Sequence, residues 1–351
     1  MSTEALLTAI RQKVPLSPSV QEAFRQIDRA RFVPFHYRHD GPTWKRESAG
    51  DLVYQDLALT TQITNGLPSS SSSQPSIMAA MLEALDVRQG MRVLEMGTGT
   101  GYNVALLAHL VGESGHVTSI DIDSQLIARA RESVKHVGLA QRATLLQADG
   151  CTGYAPAAPY DRVMLTAGFR QIEQIWLQQL ADRGIFIGNL RGRIASVLLK
   201  LEKQGQEIAG QLLPQTAYFM EIHQEKSYPA MCAPDWQQYD LLPAQSMQAE
   251  QTLLQLLDRQ AFLFFLETQE PQMEFHLRAF GTPGQHTICK VFLRDQSTAT
   301  ISPDGTVEAR GDAWERIERA YQRYCEQGSP TFDEYDVQAF QNVVGEMRSC
   351  I

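Results

Sequence analysis

Between Val93 and Asn103 the chain reads Val-Leu-Glu-Met-Gly-Thr-Gly-Thr-Gly-Tyr-Asn. An apolar run ends in an acid, Glu95, and then in glycines at every second position, Gly97, Gly99 and Gly101, with Thr98 between them and Tyr102 after them. This is the layout of a strand that ends in a glycine loop and opens a helix, where an α/β sheet holds a nucleotide-type cofactor. Glycines let the backbone approach a ligand and take up positive φ. The spacing is G-x-G-x-G, and neither G-x-G-x-x-G nor a phosphate loop ending in G-K-[ST] is present. That variant suits S-adenosyl-L-methionine, which has no pyrophosphate to cradle, better than NAD or ATP. Two more acids follow at expected strand ends. Asp121, followed by Ile122, can accept hydrogen bonds from both ribose hydroxyls, and Asp149, followed by Gly150, can accept from an adenine amino group. Each acid taken singly is equally a helix cap or turn residue. In order after the glycine loop, they point jointly to an adenosyl cofactor. NAD stays as the alternative, because the acid after the second strand is common to both.

These residues need a scaffold. From residue 92 to about 201 strand and helix patterns alternate. Strands are predicted at 92–96, 116–120, 143–147, 162–166 and 185–189, and helices at 102–111, 122–137 and 172–180. Such alternation implies a mostly parallel sheet covered on both faces. Segments 196–202 and 218–223 are predicted as further strands closing one edge. Upstream, Val20, Ala23, Phe24, Ile27 and Ala30 recur at helical spacing, and residues 36–66 are polar and turn-rich. Five serines run from Ser69 to Ser73, directly before a helix whose apolar face is Ile77, Met78, Met81, Leu82 and Leu85. A serine run is ordinarily a flexible linker. Here it is anchored on one side, and one serine could cap the helix.

After about residue 224 the pattern changes. Residues 227–247 are rich in Pro, Gln and Tyr. A small α+β unit is expected beyond, with a helix at 253–257 and a strand at 287–294. A hairpin is predicted from 298–302 to 306–310 across Pro303-Asp304-Gly305. Trp314, Ile317, Tyr321 and Tyr324 share one helical face and are read as core. The fold class is therefore α/β, Rossmann-like, with a smaller α+β C-terminal domain. The expected domains are 1–224, catalytic, and 225–351, accessory.

The chain has 351 residues, of which 43% are hydrophobic, enough to support a full core. Its longest apolar run, 261–266, falls far short of the roughly 20 residues that span a bilayer. The N-terminus shows no basic region followed by an apolar stretch, so a cytoplasmic setting is expected. Five cysteines, widely spaced and without a C-x-x-C pair, favour neither disulfides nor a zinc site. The net charge of −9 argues against nucleic acid as the main partner.

Several segments resemble the protein L-isoaspartate O-methyltransferase family. They are Arg31-Phe32-Val33-Pro34 with Tyr37-Arg38, Ser71-Ser72-Ser73-Gln74-Pro75, the glycine loop from Val93 to Tyr102, and Pro159-Tyr160-Asp161-Arg162-Val163 leading to Thr166-Ala167. The weaker Asp149-Gly150-Cys151-Thr152-Gly153-Tyr154 supports them. The resemblance covers residues from about 15 to 223. It implies a class I methyltransferase fold, with S-adenosyl-L-methionine as donor and S-adenosyl-L-homocysteine as product. The acceptor it implies is a carboxylate created by aspartate isomerisation in a peptide or protein. It places the active-site hydroxyl at Ser73, with Ser71 at a threonine position. Ser72, Gln74, Thr166, Asn189 and Phe219 fall on the substrate side. The serine run is then an active-site loop. A carboxylate is already ionised at neutral pH and needs no general base, so positioning and exclusion of water should dominate. His36, His39, His109, His116 and His136 are accordingly read as structural or exposed.

The chain departs from the family at Gly188-Asn189-Leu190 and at Tyr218-Phe219-Met220-Glu221, and in its long C-terminal segment. That segment resembles members found with ribosomally made, modified peptides (lanthipeptides, lasso peptides, graspetides). This resemblance implies methylation of an aspartate in a constrained peptide, giving aspartimide and isoaspartate, with the C-terminal domain recognising the peptide. General repair of isoaspartyl proteins is the alternative, and a binding module without chemistry is a third reading.

Overall fold

The computed structural model describes residues 2–41, 43–222, 242–257, 259–278, 288–293, 295–302 and 304–340. They fall into two compact units. One takes its described residues from 2–190, 198–222 and 336–340, the other from 191–197 and 242–335.

The first unit begins with helices α1 (Thr3–Arg11) and α2 (Pro18–Gln26). Pro18 sits at the first helical turn behind the Ser17 cap, whose Oγ accepts from Val20 N. Leu7, Ile10, Ala23 and Phe24 are buried on their inner faces. Residues 36–66, expected to be turn-rich, instead contain most of two hairpins. The first pairs β1 (Phe35–Asp40) with β2 (Thr43–Ser48), and the second pairs β3 (Leu59–Thr64) with β4 (Leu67–Ser72). The second turns at Asn65-Gly66, both at positive φ (52° and 79°), as a tight hairpin requires. The sequence hides these strands because few of their residues are apolar.

The serine run is thus mostly strand β4, neither linker nor loop. Ser70 and Ser72 are buried while Ser69 and Ser71 are half-buried, the two-residue alternation of a strand. Helix α3 (Pro75–Leu85) follows, and no serine of the run caps it. Gln74 holds the cap position without a side-chain bond, and Asp56 Oδ1 accepts from Ser76 N at 2.7 Å.

The central sheet is built from β5 (Arg92–Met96), β6 (His116–Asp121), β7 (Ala143–Gln147), β8 (Tyr160–Phe169), β9 (Leu180–Arg191), β10 (Ser196–Gln204), β11 (Glu207–Leu213) and β17 (Asp336–Phe340). Their order is β17-β11-β10-β9-β8-β5-β6-β7. The pairs from β9 to β7 are parallel, and β10–β11 and β11–β17 are antiparallel. Connecting helices are α4 (Tyr102–Val111), α5 (Ser124–His136) and a short α6 (Gln174–Gln178) in place of the helix predicted over 172–180. The chain enters at β5, fills one side with β6 and β7, then crosses to β8. The crevice at that crossing is where doubly wound sheets bind ligands. The strand predicted over 218–223 is reduced to one bridge between Gly168 and Glu221, with Gly168 N bonded to Met220 O and Ile222 N to Gly168 O, both at 2.8 Å. His223 lies outside the described residues. The strand β17 comes from sequence beyond 224, so the units do not follow a single cut there.

In the second unit, β12 (Ala244–Gln248), β13 (Glu274–Arg278), β14 (Ile288–Phe292), β15 (Thr298–Ile301) and β16 (Thr306–Arg310) form an antiparallel sheet of order β12-β16-β15-β14-β13. Helices α7 (Gln251–Leu256), α8 (Gln260–Gln269) and α9 (Ala313–Glu326) accompany it. The apolar run 261–266 lies in α8, which buries Phe262, Phe265 and Leu266 against Trp314, Ile317 and Tyr324 of α9. Tyr321 differs from the rest of that stripe: its hydroxyl donates to Glu250 Oε1. Glu267 gathers the N–H groups of Arg193, Ile194 and Ala195 at 2.7, 3.2 and 3.0 Å, which ties residues 191–197 to this unit. The strand predicted over 287–294 is β14; Thr287, Arg294 and Pro303 lie outside the described residues, as do Cys232 and Cys350. Among the described residues no helix is long and apolar enough to cross a membrane.

Candidate active site

A cavity of about 500 Å³ opens at the carboxyl ends of β5, β6 and β8, walled on the other side by β4. It brings together Ser71, Ser72 and Ser73, the glycine loop at Gly97, Thr98 and Gly99, Tyr102, Asp121 with Ile122, Asp149 with Gly150, Thr166 and Phe219. Residues separated by more than a hundred positions meet there because parallel strands deliver all their loops to one edge.

The three glycines have separate physical roles. Gly97 has φ 102°, and a Cβ there would lie 2.6 Å from Thr166 Oγ1. Gly99 faces the cavity, has φ 52°, and donates its N–H to Asp121 Oδ2 at 3.0 Å. Gly101 does not line the cavity. A Cβ there would sit 2.9 Å from the Cβ of Ala130, so this glycine packs α4 against α5.

Asp121 accepts from Gly99 N and, through Oδ1, from Asp123 N at 3.0 Å. Burial raises its pKa and these backbone N–H groups oppose the rise. The acid therefore shapes the glycine loop as well as facing the cavity. Asp149 likewise has two roles: it lines the cavity, and its Oδ1 caps the turn at Gly150–Thr152 through Cys151 N at 2.9 Å.

Glu95 was expected to touch a cofactor, but it does not line the cavity. Its carboxylate is fully buried beneath the loop and accepts from Asn103 Nδ2 at 2.6 Å and Ser119 Oγ at 2.5 Å. Ser119 in turn meets Thr98 Oγ1 at 2.6 Å. Burial pushes the Glu95 pKa up to about 7 against these hydrogen bonds. The residue it presents to the cavity is Asn103, which sequence reasoning missed. Asn103 is buried, lines the cavity, and its Oδ1 has no hydrogen-bond partner. The available signal was an asparagine in the first turn of an otherwise apolar helix.

Two expected substrate-side residues also stand behind the wall. Gln74 Nε2 donates to Asp56 Oδ2 at 3.0 Å and to Ser76 Oγ at 3.2 Å. Asn189 is fully buried, and its Oδ1 accepts from the N–H of Phe219 at 3.1 Å, so it fixes the segment that carries Phe219 into the cavity. A second missed residue is Arg29. It is buried and its guanidinium meets the carbonyl oxygens of Ser72 and Ser73 at 3.2 and 3.1 Å. Nothing in the local sequence separates it from the exposed arginines beside it.

The lining carries Asp121, Asp123, Asp149 and Glu221, and no lysine or arginine among the described residues. Such a wall favours a ligand with hydroxyls and positive charge. The cradle at Gly97 and Gly99, the strand-end acids and the orphaned Asn103 Oδ1 fit S-adenosyl-L-methionine, which offers ribose hydroxyls, an ammonium and a sulfonium. A carboxylate acceptor would have to rely on hydroxyl and N–H donors, which the serine strand supplies. Among the described residues no cluster of His, Cys, Asp and Glu has the makings of a metal site.

The family model for protein-L-isoaspartate(D-aspartate) O-methyltransferase matches residues 1–226. A protein-L-isoaspartate O-methyltransferase of Ignicoccus hospitalis is 38% identical over 168 residues, 48% of this chain and 71% of the relative. A solved protein-L-isoaspartate O-methyltransferase is similar in fold over 100% of both chains, with TM-score 0.60 and 21% identity. A Plasmodium falciparum protein assigned to the same activity, solved with S-adenosyl-L-homocysteine, is similar in fold over 63% of this chain and 97% of its own, with TM-score 0.52 and 16% identity.

Proposed function

This chain belongs to the protein-L-isoaspartate(D-aspartate) O-methyltransferase family, and we propose that it serves general repair of isoaspartyl sites in proteins. It is a protein carboxyl methyltransferase that uses S-adenosyl-L-methionine. The observation that carries the reading is the juxtaposition in one cavity of a glycine-loop cofactor cradle and the serine segment Ser71 to Ser73.

Asp121 is assigned to the ribose hydroxyls, Asp149 with Gly150 to the adenine, and Asn103 Oδ1 to the cofactor's ammonium. The bound cofactor supplies an electrophilic methyl group on a positively charged sulfur. Ser73, with Ser71, orients the substrate carboxylate by hydrogen bonds that leave its lone pairs nucleophilic. No proton moves, because the acceptor is ionised at neutral pH. The protein contributes alignment and exclusion of water, for which Phe219 and the β4 wall are placed. The methyl ester then closes to a succinimide: the next backbone nitrogen attacks the ester carbonyl and expels methanol, a far better leaving group than an ionised carboxylate offers. Hydrolysis of that ring completes repair.

The reading as a tailoring enzyme for a modified peptide rested on the long C-terminal segment. A solved protein-L-isoaspartate O-methyltransferase is similar in fold over the full length of both chains, which supports the repair reading. We assign the second unit to recognition of the polypeptide around the damaged residue. The test is to offer the protein a linear isoaspartyl peptide and an aspartyl macrocycle and follow mass. Turnover of the linear peptide is expected; methylation confined to the macrocycle would reverse the choice.

A further inference from the structure

Arg29 lies at the end of the N-terminal helical region, outside the cavity lining, and is 1% exposed. Its Nε donates to Ser72 Oγ at 3.1 Å. Nη1 donates to the carbonyls of Val53 and Gln55 at 3.3 and 3.2 Å. Nη2 donates to those of Leu57, Ser72 and Ser73 at 3.0, 3.2 and 3.1 Å. Every donor of the guanidinium is engaged, and one is shared. Burying a cation among neutral carbonyls is costly, because no carboxylate bonds it directly. Burial lowers its pKa to about 10, offset by Tyr102 and Asp56, so it stays charged at neutral pH.

The geometry of what it holds is specific. Segment 53–57 leads into β3, and 72–73 closes β4, where the hairpin ladder ends at the Leu59–Ser72 pair. Beyond that pair no ladder fixes the backbone of Ser73. A trans peptide points its N–H opposite to its carbonyl. Turning the carbonyls of Ser72 and Ser73 toward Arg29 therefore turns the N–H groups of Ser73 and Gln74 away from it. Among the described residues neither N–H donates to a protein acceptor. Ser73 is a wall of the cavity and Arg29 is not.

We infer that Arg29 is the positioning residue of the acceptor site: it fixes the Ser72–Ser73 backbone so that the Ser73 hydroxyl and N–H face the substrate carboxylate. The inference rests on the methyltransferase reading for its chemistry, but not for its geometry. Ser72 gives the guanidinium a side-chain acceptor on the same strand.

The experiment uses the full chain with Arg29→Lys, which keeps the charge and loses the fork, and Ser72→Ala, which removes one acceptor. In Arg29→Lys, kcat/KM for an isoaspartyl peptide should fall about 100-fold, the cost of misplacing a reacting group by about 1 Å. Affinity for S-adenosyl-L-homocysteine by calorimetry should change by less than about twofold, since none of the hydrogen bonds of Arg29 goes to the glycine loop. Amide exchange over 70–74 should quicken about tenfold with exchange over 92–105 unchanged. Ser72→Ala should give a smaller change of the same kind. Unaltered exchange over 70–74 in both variants, or equal losses of cofactor affinity and turnover, would overturn the inference. A parent protein that methylates no isoaspartyl peptide would instead refute the functional reading, and the exchange comparison would still decide the role of Arg29.

Discussion

The Thr166 hydroxyl donates to the carbonyl oxygen of Gly97 at 2.7 Å and is shared with that of Met96 at 3.1 Å, so the end of β8 is clasped to the start of the glycine loop. The clasp leaves no room for a side chain at residue 97, where a Cβ would lie 2.6 Å from that hydroxyl. Gly97→Ala must also adopt φ 102°, outside the range of L side chains. The variant is expected to lose about 1–3 kcal/mol of stability from the backbone strain, read by chemical unfolding, with further loss from the clash. Cofactor affinity should fall with it, measured by calorimetry.

Asp121→Ala removes an acceptor from the cavity and releases Gly99 N and Asp123 N together. Binding of S-adenosyl-L-homocysteine should weaken by at least about tenfold, the worth of a charge-assisted hydrogen bond of about 1.5–3 kcal/mol. Unchanged affinity would refute the ribose assignment.

Ser73→Ala leaves the cradle intact. Affinity for S-adenosyl-L-homocysteine should be preserved while methyl transfer drops by about 10–100-fold, the share expected of one orienting donor. Activity equal to the parent's would move the orienting role to Ser71 or to the backbone, and continued binding without any transfer in the parent would favour the binding-module reading.

Glu95 gives the protein a pH dependence of definite sign. Its pKa is raised from 4.5 to about 7 by burial, so the folded state holds the proton more tightly than the unfolded chain. Its contribution to stability is full below about pH 4.5 and is lost as pH rises through about 7, by about 3 kcal/mol in all. Glu95→Gln can keep the bonds to Asn103 and Ser119, because the Ser119 hydroxyl is able to reverse toward Thr98. The variant should lack this slope, so urea unfolding at pH 5 and pH 8 should show it gaining on the parent at the higher pH.

Asp56 shows the opposite sign. Burial would raise its pKa, but hydrogen bonds from Lys13, Gln74 and Ser76 hold it below the usual value. The stability it contributes is present above about 3.8 and is lost as pH falls through its depressed folded value. Asp56→Ala should cost about 1–2 kcal/mol at neutral pH, as loss of a helix-cap acceptor does, and the difference from the parent should vanish in acid.

Much of this protein was legible in the chain itself. The alternation of apolar strands with apolar-faced helices between 92 and 201 dictated a parallel sheet, because each such strand must be covered on both faces. The glycine loop, Asp121 and Asp149 announced a cofactor site, because strand ends in such a sheet meet at one edge. The two hairpins at 35–72 were not legible, since their serines, threonines and charges carry no apolar alternation. Nor was the division of labour within the site.

Glu95, Gly101, Gln74 and Asn189 belong to the same motifs as the cavity residues, yet stand behind the wall and hold it. Which member of a motif faces the ligand depends on contacts across sequence distances that local spacing does not encode. Arg29 is the clearest case. One-dimensional pattern makes it an ordinary surface arginine; only the packing of β3 and β4 around it buries the guanidinium and sets it against the carbonyls of Ser72 and Ser73. The sequence alone determined the sheet, the cofactor cradle and the presence of hydroxyls beside it. The tertiary structure decided how those hydroxyls are held, because buried donors choose their acceptors only after the chain has closed around them.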